Sequence, residues 1–182
     1  MEFEPLELPG VVLVRPKVHA DARGWFMETW ERGRYAAAGI GPDFTQDNHS
    51  SSQRGVLRGL HYQAVEPQGK LVRVLRGAIF DVAVDLRRSS PCFGRWLGRR
   101  LDDREPAALW VPPGFAHGFL ALSEVAEIAY RCTTRWMPAH DRVLAWDDPT
   151  LAIDWPLAPG VVPLLSDKDA RAPRFDVAEV YP

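Results

Sequence analysis

The chain has 182 residues, with 22 basic and 24 acidic side chains and a formal net charge of −2 at neutral pH. That length fits one domain with a substantial buried core, and the charge balance removes any bulk drive toward nucleic acid or an anionic membrane surface. Cys92 and Cys132 lie far apart and form no CxxC pair, so neither a zinc knuckle nor a disulfide framework is expected; two thiols in a reducing cytoplasm fit better.

The acidic start Met1-Glu2-Phe3-Glu4 lacks an apolar signal core, and no apolar run approaches membrane-spanning length. A soluble, cytoplasmic protein without membrane contact is expected. The chain contains 14 glycines and 16 prolines, above the average usage of about 7% and 5%. They cut it into many short segments, which favours an all-β architecture with frequent turns. No internal repeat, low-complexity tract or Gly/Ser linker divides it, so residues 1–182 read as a single domain.

In chain order, residues 11–14 read as a first strand closed by Pro16. Residues 31–38 are the one convincing helix of the first half, ended by Gly39. From Gly55 onward the pattern is strands. Residues 70–75 run into the turn signal Arg76-Gly77, and residues 78–86 then alternate. In that run Phe80, Val82, Val84 and Leu86 share one face, expected to be core, while Ile79, Asp81, Ala83 and Asp85 share the other, which carries two carboxylates. Further strands are expected at 95–101, 107–111, 115–122 and 126–136, with a sharp turn at Pro112-Pro113-Gly114. Beyond Pro138 the chain is irregular, with a short helical turn at 166–172. Short antiparallel strands with tight turns suggest a jelly roll or related small barrel; periodicity supports a sandwich or a barrel without choosing between them.

Two stretches carry histidines in a chemical setting. In Gly55-Val56-Leu57-Arg58-Gly59-Leu60-His61-Tyr62-Gln63, His61 follows an arginine and a glycine; histidine, with an unperturbed pKa nearest neutrality, is the default general base. Pro112 to Phe119 contains a PxGxxH pattern similar to the second motif of the cupin superfamily, whose histidine often binds metal. The upstream HxH pair of such proteins is replaced here by His61-Tyr62-Gln63, and two histidines do not complete a set of three or four ligands. His117 is therefore read as a hydrogen-bonding or oxyanion-holding group. Asp21 to Glu28, Gln46-Asp47-Asn48, Gln68-Gly69-Lys70 and Ser166-Asp167-Lys168-Asp169 add cations, aromatic rings and carboxylates. Each alone is an ordinary solvated loop or strand edge; together they look like parts of a polar site.

Across nearly its whole length the chain resembles the dTDP-4-dehydrorhamnose 3,5-epimerase family. The most specific pieces are Gln46-Asp47-Asn48-His49-Ser50, the run from Val56 to Gln63, Gln68 to Val72, Asp81-Val82-Ala83-Val84-Asp85, Ser90-Pro91 and Gly114 to Phe119. The resemblance implies an all-β cupin-type jelly roll (a double-stranded β-helix) with a few short helices, a homodimer, no metal and no cofactor. The implied substrate is a dTDP-linked 4-keto-6-deoxysugar, inverted at C3 and C5 on the way to activated L-rhamnose or a related deoxysugar. A single-site epimerase acting at C3 only or C5 only would use the same residues. A ketoisomerase, a metal-dependent cupin oxygenase and a silent sugar-nucleotide-binding module are the remaining alternatives.

Carried over residue by residue, the family's base corresponds to His61, oriented by Asp169; its acid to Tyr130; and the lysine facing the keto oxygen to Lys70. Substrate contacts correspond to Arg23, Phe26 and Glu28, reaching across the dimer, and to Gln46, Asn48, Arg58, His117 and Lys168. Two positions depart from the pattern. Trp136 stands where most members carry a thymine-stacking tyrosine, and Asp141 where several carry a glutamate.

Overall fold

The computed structural model describes residues 1–41 and 43–182. In chain order its strands are β1 (Glu2–Pro5), β2 (Val12–Arg15), β3 (Val18–Asp21), β4 (Gly24–Met27), β5 (Gln46–Gln53), β6 (Leu57–Gln63), β7 (Lys70–Arg76), β8 (Ala78–Asp85), β9 (Trp96–Asp102), β10 (Ala108–Val111), β11 (Phe115–Ala121), β12 (Val125–Cys132) and β13 (Asp141–Val143). Helix α1 (Arg32–Ala37) precedes β5, and α2 (Asp167–Ala170) lies near the C-terminus.

The strands pair antiparallel into a six-stranded sheet, β1-β2-β10-β7-β12-β5, and a five-stranded sheet, β13-β6-β11-β8-β9. The ribbon β3–β4 belongs to neither. Consecutive strands β7 and β8 lie in different sheets, as do β5 and β6, so the chain wraps as a jelly roll. The alternation and turn chemistry explain most of it: Gly77 reverses the chain between β7 and β8, and Pro112-Pro113-Gly114 does so between β10 and β11.

The core has three parts. Between the sheets lie Val72, Val74, Ile79, Ala83, Leu109, Phe119 and Ile128. On the outer face of the five-stranded sheet, Leu57, Leu60, Val82, Val84 and Leu86 are covered by Leu151 and Trp155 from the irregular C-terminal segment. Helix α1 contributes Tyr35, which with Ile40 covers Val12, Val14, Leu71 and Trp110 on the outer face of the other sheet. The helix is started by Glu31, whose carboxylate accepts from the N–H groups of Gly33 and Arg34.

Two expectations need correction. Strand β8 is buried on both faces: Ile79, Asp81, Ala83 and Asp85 are inaccessible because they face the other sheet, and Val82, Val84 and Leu86 on the opposite face are roofed by the C-terminal segment. The inner carboxylates survive burial by pairing, Asp85 with Arg87 and Ser90, Asp81 with His117. Strand β12 stops at Cys132 instead of continuing to Trp136, since the next residues turn away from their neighbours in the sheet.

Candidate functional site

A cavity of about 310 Å³ opens between the two sheets. The six-stranded sheet supplies Gln46 and Asn48 from β5, Lys70 from β7, and Tyr130 and Cys132 from β12. Cross-strand register brings these together: Tyr130 stands opposite Asn48, and Cys132 lies between Gln46 on one side and Lys70 on the other. Residues two apart on a strand face the same way, so all five point inward. The five-stranded sheet supplies His61 and Gln63 from β6 and Asp141 from β13; Gln68 and Trp136 from connecting segments and Lys168 from α2 complete the wall.

His61 is fixed by the C-terminal segment. Ser166 caps α2 and accepts from the N–H of Asp169, and the Asp169 carboxylate lies 2.6 Å from His61 Nε2. Burial opposes the charge on Asp169, but hydrogen bonding and proximity to His61, with help from Ser166 and the Gly59 backbone, hold its carboxyl below the usual aspartate range. An ionised Asp169 accepts, so Nε2 donates and the imidazole lone pair is on Nδ1.

Lys70 is almost completely buried, and its Nζ donates to the His61 carbonyl at 3.2 Å. Burial pushes the ammonium below the ordinary lysine range, against the partial support of Cys132, Asp141 and Asp81. Burial, reinforced by Cys132, pushes the Tyr130 phenol up, and the nearby Arg58 opposes that rise. Arg58 itself is tied to Ser52 Oγ at 3.0 Å and to the Ser51 carbonyl.

His117 is the cross-strand neighbour of His61, but it sits behind the cavity, with Nε2 2.7 Å from Asp81 Oδ1 and both groups buried. Asp81 Oδ2 is buried without a hydrogen-bond partner among the described residues. Lys168 pairs with Asp141 at the cavity rim. Trp136, 54% exposed, stands at the mouth.

The structure thus gathers His61, Asp169, Lys70, Tyr130, Gln46, Asn48, Trp136, Asp141 and Lys168, with His117 behind them and the exposed Arg58 near Tyr130. It does not bring Arg23, Phe26 and Glu28 to this cavity. They lie on or just beyond the β3–β4 ribbon, where Arg23 pairs with Asp21, Glu28 pairs with Arg34, and the Phe26 ring is 69% exposed. Sequence reasoning assigned no role to Cys132, Gln63 or Asp81. Cys132 was findable from its alternation with Tyr130, whereas the pairing of Asp81 with His117 depends on two strands that only the fold makes adjacent. Among the described residues no three His, Cys, Asp or Glu side chains converge in a way that could hold a metal ion.

This assembly has known relatives. Residues 5–176 match the model of the family described as dTDP-4-dehydrorhamnose 3,5-epimerase. The chain belongs to that family. A dTDP-4-dehydrorhamnose 3,5-epimerase from Pseudomonas aeruginosa is 51% identical, with both chains fully covered. Among solved structures, the dTDP-6-deoxy-D-glucose-3,5-epimerase of Legionella pneumophila, in complex with dTDP-4-keto-L-rhamnose, superposes with a TM-score of 0.92 at 45% identity, covering 97% of this chain and 93% of the other. The 3'-monoepimerase ChmJ of Streptomyces bikiniensis, in complex with dTDP-quinovose, is more distant at 36% identity and a TM-score of 0.89, covering 97% and 89%. The epimerase family's fold is therefore the cupin-type jelly roll expected from the sequence, and the enzyme is an isomerase.

Proposed function

We propose that this epimerase inverts C3 and C5 of dTDP-4-dehydro-6-deoxy-D-glucose, giving dTDP-4-dehydro-L-rhamnose. The observation that carries the reading is the placement of His61 and Tyr130 on opposite sheets, facing one cavity that Lys70 also lines. A stereocentre is inverted when a proton leaves one face and another arrives on the opposite face, which requires a base and an acid on opposite walls.

Both carbons flank the C4 ketone, so loss of either proton gives an enolate delocalised onto the keto oxygen. His61 Nδ1 removes the proton, and Asp169 stabilises the imidazolium that forms. Lys70 meets the charge growing on the oxygen; a preorganised donor of this kind is worth about 3–4 kcal/mol. The raised Tyr130 phenol stays protonated at neutral pH and delivers the proton from the other wall. Lys168 and Arg58 supply positive charge for the diphosphate, and Trp136 offers a flat apolar face for the thymine ring. Arg23, Phe26 and Glu28 serve a second copy's cavity in a homodimer, the partner their exposed ribbon requires. A cytoplasmic location belongs to the same reading.

The test is turnover of dTDP-4-keto-6-deoxy-D-glucose in D2O, with incorporated label located by NMR. Deuterium at both C3 and C5 is expected in the wild type, together with loss of exchange in His61→Ala and retained dTDP binding. Label at one carbon only would make the protein a single-site epimerase, and no exchange at all would overturn the assigned chemistry.

A further inference from the structure

The five residues after β12 have left the sheet, yet their backbone is bonded at every step. The Thr133 N–H donates to the Gly69 carbonyl at 3.0 Å. The Thr134 carbonyl accepts from Gln68 Nε2 at 2.8 Å, and the Arg135 carbonyl from Gln63 Nε2 at 3.4 Å. The Trp136 N–H donates to Gln46 Oε1 at 2.7 Å, and the Met137 N–H to Gln63 Oε1 at 2.8 Å. Three glutamine side chains thus replace a strand ladder. Gln63 is buried, and its amide also donates to the Glu66 carbonyl at 2.8 Å, which accepts from Thr134 Oγ1 as well.

We propose that Gln63 and Gln68, with Gln46, are positioning residues that hold Trp136 as a preset platform for the substrate's nucleobase. The inference rests on the nucleotide-sugar reading above. An indole on an irregular, half-exposed segment would ordinarily lose conformational freedom on meeting a ligand, at a cost in affinity. Here the backbone on both sides of Trp136 is already immobilised. Only an amide suits Gln63, which must accept from one N–H while donating to two carbonyls; a glutamate there would set a negative charge against both oxygens. The reacting groups are held separately, since His61 and Tyr130 sit in strand ladders of their own. The clamp therefore acts on binding and base selectivity more than on proton transfer.

A double-mutant cycle tests this, with dTDP affinity measured by calorimetry and KM and kcat measured on the keto sugar. Gln63→Leu is expected to weaken dTDP about tenfold and raise KM similarly, with a smaller fall in kcat. Trp136→Ala should cost about tenfold or more, the scale of one base–aromatic stack, and the double variant should be no weaker than Trp136→Ala alone. Gln68→Ala removes one bond of the clamp from an accessible position and keeps the test open if Gln63→Leu folds poorly; its loss, about threefold, should also vanish in the Trp136→Ala background. Losses that multiply, with the wild type active, would overturn the clamp and make Gln63 and Gln68 independent contacts. A wild type that neither binds dTDP nor turns over the keto sugar would overturn the functional reading, and this inference with it.

Discussion

An ammonium taken out of water loses hydration that protein groups restore only in part, and Lys70 is in that position, with one carbonyl as its hydrogen-bond partner. Its depressed pKa means the folded chain binds fewer protons than the unfolded chain between the depressed value and the ordinary lysine value of about 10.4. The penalty is therefore fully present below the depressed value and is relieved as pH rises through that window. Lys70→Met should raise the melting temperature at neutral pH, by about 2–4 °C per kcal/mol recovered, while turnover falls about 10²–10³-fold for want of the oxyanion donor. A scanning calorimetry trace and one progress curve check both. Activity of the wild type should decline on the alkaline side at a pH below ordinary lysine titration. Tyr130, shifted upward, does not lose its proton first.

At the scale of elements, the site depends on how closely β6 and β11 approach. A Cβ on Gly118 would lie 2.8 Å from the Arg58 carbonyl oxygen, and one on Gly59, whose φ is +133°, would lie 2.5 Å from Gly118 Cα. Gly118 directly follows His117 and Gly59 lies two residues before His61, so any spreading there moves His61 relative to Lys70. Gly118→Ala is expected to cost about 1–3 kcal/mol of stability and to lower kcat at unchanged oligomeric state, measured by denaturant titration and steady-state kinetics. Full activity at wild-type stability would show that this contact tolerates relaxation. The same elements show what the sequence discloses. Strands β7 to β11 are legible because their alternation and their Gly and Pro turns agree. β5, Gln46–Gln53, is nearly all polar and carries no hydrophobic period; it is an edge strand that faces the cavity on one side and solvent on the other. The overlong reading of β12 has a related cause. Thr134 and Trp136 have strand propensity, but their backbone partners are the side chains of Gln68 and Gln46, far away in the chain. His61, Lys70, Tyr130 and Asp169 were recognisable by resemblance; that Asp169 reaches Nε2, and that Asp81 backs His117, required the fold.

For the molecule as a whole, the exposed ribbon is the feature that a lone protomer leaves unexplained. Trp25 and Phe26 are 67% and 69% exposed on a two-stranded hairpin that pairs with neither sheet, and such hairpins are marginal by themselves. In the homodimer proposed above, this ribbon would pack against a second copy. Sedimentation should then give a dimer, and Trp25→Ser with Phe26→Ser should shift it toward monomer and reduce turnover at low enzyme concentration. A wild type that stays monomeric at every concentration with full activity would sink that arrangement.

The cavity is assembled from segments that are remote in sequence. His61 and Asp169 are separated by 108 residues, Gly69 and Thr133 by 64, and the Tyr181 hydroxyl reaches back 118 residues to the Gln63 carbonyl. Closing loops of that size precedes any reward from the contacts they allow, which makes such topologies slow to form. The proposed catalytic pair therefore depends on a long closure: no single hairpin contains both His61 and the carboxylate that pairs with it. In a refolding experiment, turnover is therefore expected to appear no earlier than the closure that joins the C-terminal segment to β6.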